Sequence, residues 1–304
     1  MDSIYCGLPG AWALRVMAIA PCRRAGEPVR FDRRDGTAGF LLLITPAVAP
    51  ALLRLRSVSK AFGSLQAVDQ VAFDVAAGSL TALIGPNGAG KTTTFDLIAR
   101  TQQPDSGSIE FDGAPIDGLR GDQVFQRGLA RTFQVPRPFA NMTVLENLML
   151  APKHQAGEQF ASNWLRPAKV RAQERANHER AREVLQLCTL ADKAALLAGQ
   201  LSGGQQKLLE LARVLMVDPK MILLDEPAAG VNPSLLEILI DRVQLLNRQG
   251  ITFLLIEHNM DLVMRICSPV IVMAQGKVLA QGRPEDIRND PQVLDAYLGA
   301  TTPA

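Results

Sequence analysis

The sequence predicts an α/β fold with a mainly parallel sheet covered on both faces. Three observations carry this. Leu80–Ile84, Met221–Leu224 and Thr252–Ile256 are short, largely apolar runs of strand length, without the alternation of a half-solvated strand. A helical stretch, Leu235–Asn247, lies between the last two and completes a βαβ unit. The first run passes into a glycine-rich loop, and a second helical stretch, Thr92–Arg100, follows that loop.

In chain order, residues 1–50 read unlike the rest. They are rich in Arg, Gly, Pro and Ala and hold no lasting period. They are expected to be either a disordered arm or the product of a start placed too far upstream. Leu53–Val58 alternates as a half-buried strand, and Ala67–Val75 alternates more loosely, with turn signals at Phe62-Gly63 and Gly78. The stretch from about 137 to 216 has no strand of the buried type and reads as a helical subdomain. Within it, Lys169–Leu190 is a long helix dense in Arg and Glu, whose charges suit a solvated face. Val270–Met273, a turn at Gln275-Gly276 and Lys277–Leu279 form a hairpin, and a last helix fits Pro291–Leu298. Residues 51–300 thus form the expected folded body.

Composition narrows the function. The chain has 304 residues with 32 basic and 30 acidic side chains, a net charge of +2. Residues 1–50 hold six Arg and four acidic residues, which leaves 26 of each sign after them. No basic field for nucleic acid or anionic lipid is implied. The longest apolar run, Phe40–Leu53, is interrupted by Pro46 and Pro50, and a spanning helix needs about 20 apolar residues. Ala11–Ala20 is broken by Arg15 and preceded by Asp2, which argues against a secretory signal. Cys6, Cys22, Cys188 and Cys267 have no metal-binding spacing and read as free thiols in a reducing compartment.

Three constellations carry chemistry. Gly85-Pro86-Asn87-Gly88-Ala89-Gly90-Lys91-Thr92 fits G-x-x-x-x-G-K-[ST], the loop whose backbone amides wrap a phosphate. Lys91 would reach the β- and γ-phosphates, Thr92 would bind Mg²⁺, and Thr93 adds a donor. Met221–Leu224 ends in Asp225-Glu226-Pro227. There Asp225 is placed for the magnesium shell, and Glu226 is free to act on a water attacking the γ-phosphate. Leu201-Ser202-Gly203-Gly204-Gln205 opens a helix with apolar positions Leu208, Leu211, Ala212, Leu215 and Met216. Ser202 reads as its N-cap. Two glycines at a helix start weaken it by about 1 kcal/mol each, which points to a backbone that must approach something.

Glycine loop, LSGGQ and LLDEP, in this order, resemble the ATP-binding cassette (ABC) ATPases, from about Leu52 to Gly299. The resemblance implies a P-loop NTPase core, an N-terminal antiparallel β subdomain and a helical subdomain carrying the signature. It implies ATP and Mg²⁺ as ligands. Phe62 matches the aromatic that stacks on adenine, Gln134 the loop glutamine that touches Mg²⁺ or water, and His258 the switch histidine at the γ-phosphate. Ser202, Gly203, Gly204 and Gln205 would face a nucleotide held by a second cassette, identical or paralogous. Two transmembrane permeases are implied, with a peripheral place on the cytoplasmic face of the membrane. One departure stands out: Asn232 occupies the position of the family's usual Asp.

DEPAAG followed by Val231-Asn232-Pro233, together with Ala130–Gln134, Glu257–Met260 and the tail ending Ala296-Tyr297-Leu298-Gly299, is similar to the branched-chain amino acid importer ATPases. That likeness adds a solute-binding protein as an indirect partner. Urea or amide import and lipopolysaccharide-type export are the neighbouring transport readings. A soluble, non-transport ABC ATPase would call for a second cassette or coiled-coil insertions, and a small-molecule kinase has no use for the LSGGQ helix. The apolar residues around Gln134 (Val135, Phe139, Met142, Val144, Leu145) suit either a permease contact or subdomain core.

Overall fold

A computed structural model describes residues 50–132, 136–153 and 167–299. The N-terminal segment up to residue 49 lies outside the described residues, as do Phe133, Gln134 and Val135.

The described chain opens on an antiparallel hairpin, β1 (Ala51–Phe62) and β2 (Leu65–Ala76). Next come β3 (Leu80–Ile84), the glycine loop and α1 (Lys91–Ile98). β4 (Ser106–Phe111) and β5 (Ala114–Pro115) return to the hairpin, giving an antiparallel sheet ordered β2-β1-β4-β5. α2 (Gly121–Gln126) leads into β6 (Leu129–Arg131). From there to β7 (Met221–Asp225) the described residues form helices and turns, with one isolated bridge pairing Thr143 with Leu197. The helices are α3 (Val144–Met149), α4 (Pro167–Leu187) and α5 (Gly203–Leu215). After β7 come α6 (Pro233–Arg248), β8 (Thr252–Ile256) and α7 (Met260–Ile266). The hairpin β9 (Val270–Ala274) and β10 (Lys277–Gly282) follows, then α8 (Pro284–Arg288) and α9 (Pro291–Gly299).

The main sheet is ordered β10-β9-β3-β8-β7-β6 and is parallel except for β10. Its central strands bury every residue, because alternate side chains enter two different cores. Ala82, Ile84, Ile222, Leu224, Phe253 and Leu255 pack with α5 and α6. Leu83, Met221, Leu223, Leu254 and Ile256 pack with Phe95 and Leu97 of α1 and with Leu55, Val71 and Phe111 of the antiparallel sheet. A one-residue slip would exchange these two sets, so two-sided burial fixes the register.

α1 ends at Ile98, before the expected Arg100, which is left-handed (φ +59°), and two further helices differ from expectation. α4 ends at Leu187, before the expected Leu190, because Thr189 turns left-handed (φ +56°) and sends Leu190 back into the core. α5 carries the expected apolar stripe, but Lys207, Leu209, Glu210 and Val214 are buried as well, so the helix is enclosed nearly all round. Cys188 and Cys267 are buried, unbonded thiols whose pKa values desolvation pushes up to about 12.

Candidate active site

The glycine loop is shaped by close backbone packing. Gly85 has φ +148°, and a Cβ there would lie 2.0 Å from the Met273 carbonyl oxygen of β9. Gly90 has φ +94°, and its Cβ would meet the Ala67 carbonyl oxygen at 2.3 Å. No larger residue fits either place. α1 starts at Lys91 with no side-chain cap and no acidic residue in its first turn, so its leading amides remain available to an anion. Lys91 is 6% exposed, and its ammonium donates to the carbonyls of Gly85 (2.8 Å) and Pro86 (2.9 Å). Burial lowers its pKa, while Glu226 and Asp225 act in the opposite direction.

These residues line a cleft of about 550 Å³ that takes in Asn87 through Thr93, Phe62, Gln275, Glu226 and His258. That volume suits a small-molecule ligand. Phe62 is 46% exposed. It belongs to the cleft wall and not to the core, and Lys60 lies 5.7 Å from its ring centroid.

The two carboxylates after β7 part company. Asp225 is buried and does not line the cleft; its Oδ2 accepts from Arg131 at 3.0 Å, and the same guanidinium bonds Asp96 and lies over the Phe95 ring. Burial pushes the Asp225 pKa up, against the pull of Arg131. Glu226 turns the other way. Its backbone is left-handed (φ +47°), and its Oε1 stands 3.0 Å from His258 Nε2 at the cleft. A carboxylate and an imidazole in contact across a phosphate-type loop can orient a water and balance developing charge.

The LSGGQ segment is not part of this cleft. Ser202 caps α5 by accepting from the Gln205 N–H (3.4 Å), and Gln205 Oε1 accepts from the Ser202 N–H (3.0 Å), a reciprocal capping box. The two glycines differ. A Cβ on Gly204 would approach Leu235 Cδ1 to 2.8 Å, so Gly204 lets α5 seat against α6, whereas Gly203 faces open space. Asn232 caps α6 by accepting from Ser234 N–H at 2.9 Å, a task that needs no charge. Gln134 lies outside the described residues.

Three further residues stand at the site without having been assigned a role there from the sequence. Lys207 and Glu257 are charged side chains buried beside Glu226 and His258. Glu257 signals itself as a charge at the end of an apolar run, whereas Lys207 follows Gln205-Gln206 and carries no such signal. The third, Tyr297 of α9, comes close to the Gly85 backbone, and only the fold brings that tail to the loop.

Residues 68–229 match the family model for the ABC transporter, and residues 277–301 match that for the branched-chain amino acid ATP-binding cassette transporter. The probable branched-chain amino acid transport ATP-binding protein LivG of Archaeoglobus fulgidus is 40% identical over 252 residues, 82% of this chain and 96% of that protein. The high-affinity branched-chain amino acid transport ATP-binding protein BraF of Pseudomonas aeruginosa is 41% identical over 249 residues, 82% of this chain and 98% of its own length. A nucleotide-free ATP-binding cassette from an ABC transporter superposes with a TM-score of 0.71 at 38% identity, covering 82% of this chain and 99% of that one. A second such cassette, in its ADP conformation, gives 0.70 at 35% identity, with coverage of 83% and 100%. The similarity runs through both sheets and both ends of the body, well beyond the glycine loop alone, and it makes this chain a member of the ABC transporter family, an ATP-binding cassette that hydrolyses ATP.

Proposed function

We propose that the chain is the ATPase subunit of an importer for branched-chain or related amino acids. The C-terminal tail carries this reading. Residues 277–301 match the branched-chain model, and the tail is built into the cassette through buried Ile287 and Val293. The names of the similar proteins support it.

In this reading Phe62 stacks on adenine. The amides of Gly85, Pro86-flanked Asn87, Gly88, Ala89 and Gly90 wrap the phosphates with Lys91, Thr92 and Thr93. Glu226 orients the attacking water, and His258 and Lys91 stabilise charge on the γ-phosphate. Mg²⁺ supplies charge neutralisation on the phosphates when bound. The residues fit an ion held mostly by phosphate and water. Thr92 lines the cleft, Asp225 stays behind it paired with Arg131, and no cage of three or more acidic, His or Cys side chains exists among the described residues. Gln134, outside the described residues, is assigned to Mg²⁺ or water and to sensing the permease. Ser202, Gly203, Gly204 and Gln205, away from the cleft, serve the nucleotide of a second cassette. The chain sits at the cytoplasmic face against two permeases, which link it to a periplasmic or extracellular solute-binding protein on the other side. No described helix is long and apolar enough to cross a membrane.

Glu226→Gln tests the reading. It keeps size and hydrogen bonding while removing the carboxylate, so hydrolysis falls by roughly 10²- to 10⁴-fold while ATP binding persists. Size-exclusion chromatography with MgATP then shows a trapped dimer. Cells carrying this variant lose uptake of labelled leucine, isoleucine and valine. Turnover at the parent rate overturns the role of Glu226, and loss of urea uptake in place of amino-acid uptake overturns the substrate class.

A further inference from the structure

The loop after β7 is gripped from both sides by buried charge. Lys207, in the second turn of α5, is 9% exposed. Its ammonium donates to the carbonyl oxygens of Glu226 (2.8 Å), Pro227 (3.1 Å) and Ala229 (2.8 Å). Three donors meet three acceptors, so its hydrogen-bonding capacity is filled. From the opposite side comes Glu257, which is 4% exposed. Its Oε1 accepts from Ala228 N–H at 2.6 Å, and its Oε2 accepts from the N–H groups of His258 (3.0 Å) and Asn259 (3.3 Å). An ammonium and a carboxylate, both withdrawn from water, are thus satisfied by the main chain of one short loop and its neighbour.

Packing alone does not require this. Burying a charge is costly, and an apolar side chain would seat α5 against the loop at lower cost. What the charges do is hold backbone in an unfavourable shape. Glu226 is left-handed, a backbone conformation that is unfavourable for a residue with a Cβ. That conformation sends its carbonyl to Lys207 and its carboxylate to His258.

We propose that Lys207 is a positioning residue for ATP hydrolysis, fixing the left-handed Glu226 turn through three main-chain carbonyls while Glu257 fixes the same loop through its amides. The proposal rests on the reading of Glu226 as the hydrolytic carboxylate. Lys207 acts through backbone and touches no nucleotide. Because α5 begins at the signature, Lys207 also makes the signature helix and the Glu226 loop one mechanical unit. Movement of one cassette's signature against its partner's nucleotide is thereby felt at its own Glu226.

The test uses the full chain with MgATP. Lys207→Met keeps length and removes all donors. Its kcat falls on the order of 10- to 100-fold, with KM and the affinity for a fluorescent ATP analogue little changed. Lys207→Arg, which retains donors, keeps more of kcat than Lys207→Met even where its melting temperature is no higher. Parent-like kcat in Lys207→Met, or an Arg variant no more active than the Met variant, overturns the proposal. Hydrogen exchange on the unmodified protein gives a reading free of any folding defect. The Ala229 and Val231 amides, which donate to Glu226 O (3.1 Å) and Ala228 O (3.2 Å), exchange slowly, and unprotected exchange there overturns the lock. Glu226→Gln run in parallel separates the two ideas. If it turns over like the parent, the Glu226 reading fails. If it is inactive while Lys207→Met is not, only the role of Lys207 fails.

Discussion

Arg131 stands between two carboxylates that would otherwise repel across α1 and β7. Its side chain is 12% exposed and Asp225 is 6% exposed, so their ion pair is largely screened from water. Removing one partner of such a pair leaves the other charged and unsatisfied. Arg131→Met therefore destabilises the fold by about 3 kcal/mol, the lower end for a buried pair, because Asp96 is partly solvated. The pH dependence has a definite sign. Burial already raises the Asp225 pKa, and without Arg131 nothing in that pair holds it down. A raised carboxyl pKa means the protonated form suits the folded state, so its stabilising contribution is full below the unfolded value near 4 and is lost as pH rises through the folded value. The penalty of Arg131→Met is thus largest at neutral pH and shrinks toward pH 4. Urea midpoints for parent and variant at pH 7.5 and pH 5 measure it, and an equal penalty at both would mean that Asp225 is not the group left exposed to the change.

At the scale of elements, the glycine loop joins two strands that are distant in sequence. Gly85 and Gly88 both have positive φ, yet only Gly85 presses on another backbone, at Met273 of β9. Gly88→Ala meets nothing within 4 Å and carries only the left-handed penalty, about 1–2 kcal/mol. Gly85→Ala adds a clash that can be relieved only by moving β9 or the loop, and it destabilises the nucleotide-free chain by roughly 3 kcal/mol or more. Thermal melts of the two variants side by side test the ranking, and equal melting temperatures would refute it. The same scale explains what the sequence made legible. β3, β7 and β8 are apolar because both faces are buried, and a single line of text records that. β6 has three residues and gains its place from pairing with β7, which no local pattern announces. α3 and α7 run six and seven residues, too short for a visible period; the caps Thr143 and Asn259 define them. The site divides likewise. Motif spacing singles out Lys91, Glu226 and His258, and these three line one cleft. The left-handed turn at Glu226, its capture by Lys207 and the arrival of Tyr297 at Gly85 depend on how α5 and α9 fold back, and so stayed hidden.

At the scale of the whole molecule, the cleft and the exposed signature segment are two surfaces that do not meet. The cleft gathers the glycine loop, Phe62, Glu226 and His258, while Ser202 and Gly203 are exposed elsewhere. If two cassettes close head to tail, each cleft receives the other chain's signature, and a two-fold axis makes both sites alike. This can be tested with two defective chains. Lys91→Ala removes the phosphate ammonium and leaves the signature intact. Gly203→Asp puts a negative charge where phosphates would dock; its Cβ has open space, its nearest neighbour being Gly230 O at 4.0 Å, and an acid at a helix start does not harm the helix. Each variant alone is inactive, because every site in its dimer lacks one half. In a mixed dimer one site combines the intact cleft of the Gly203→Asp chain with the intact signature of the Lys91→Ala chain. With random pairing half the dimers are mixed and each has one working site, so an equimolar mixture regains about a quarter of the parent rate where the two sites act independently. The regained activity falls on dilution, as the dimer does. Parent-like hydrolysis by the Gly203→Asp chain alone would mean that the cleft is complete within one chain, and that the separation of Ser202 and Gly203 from it has another purpose.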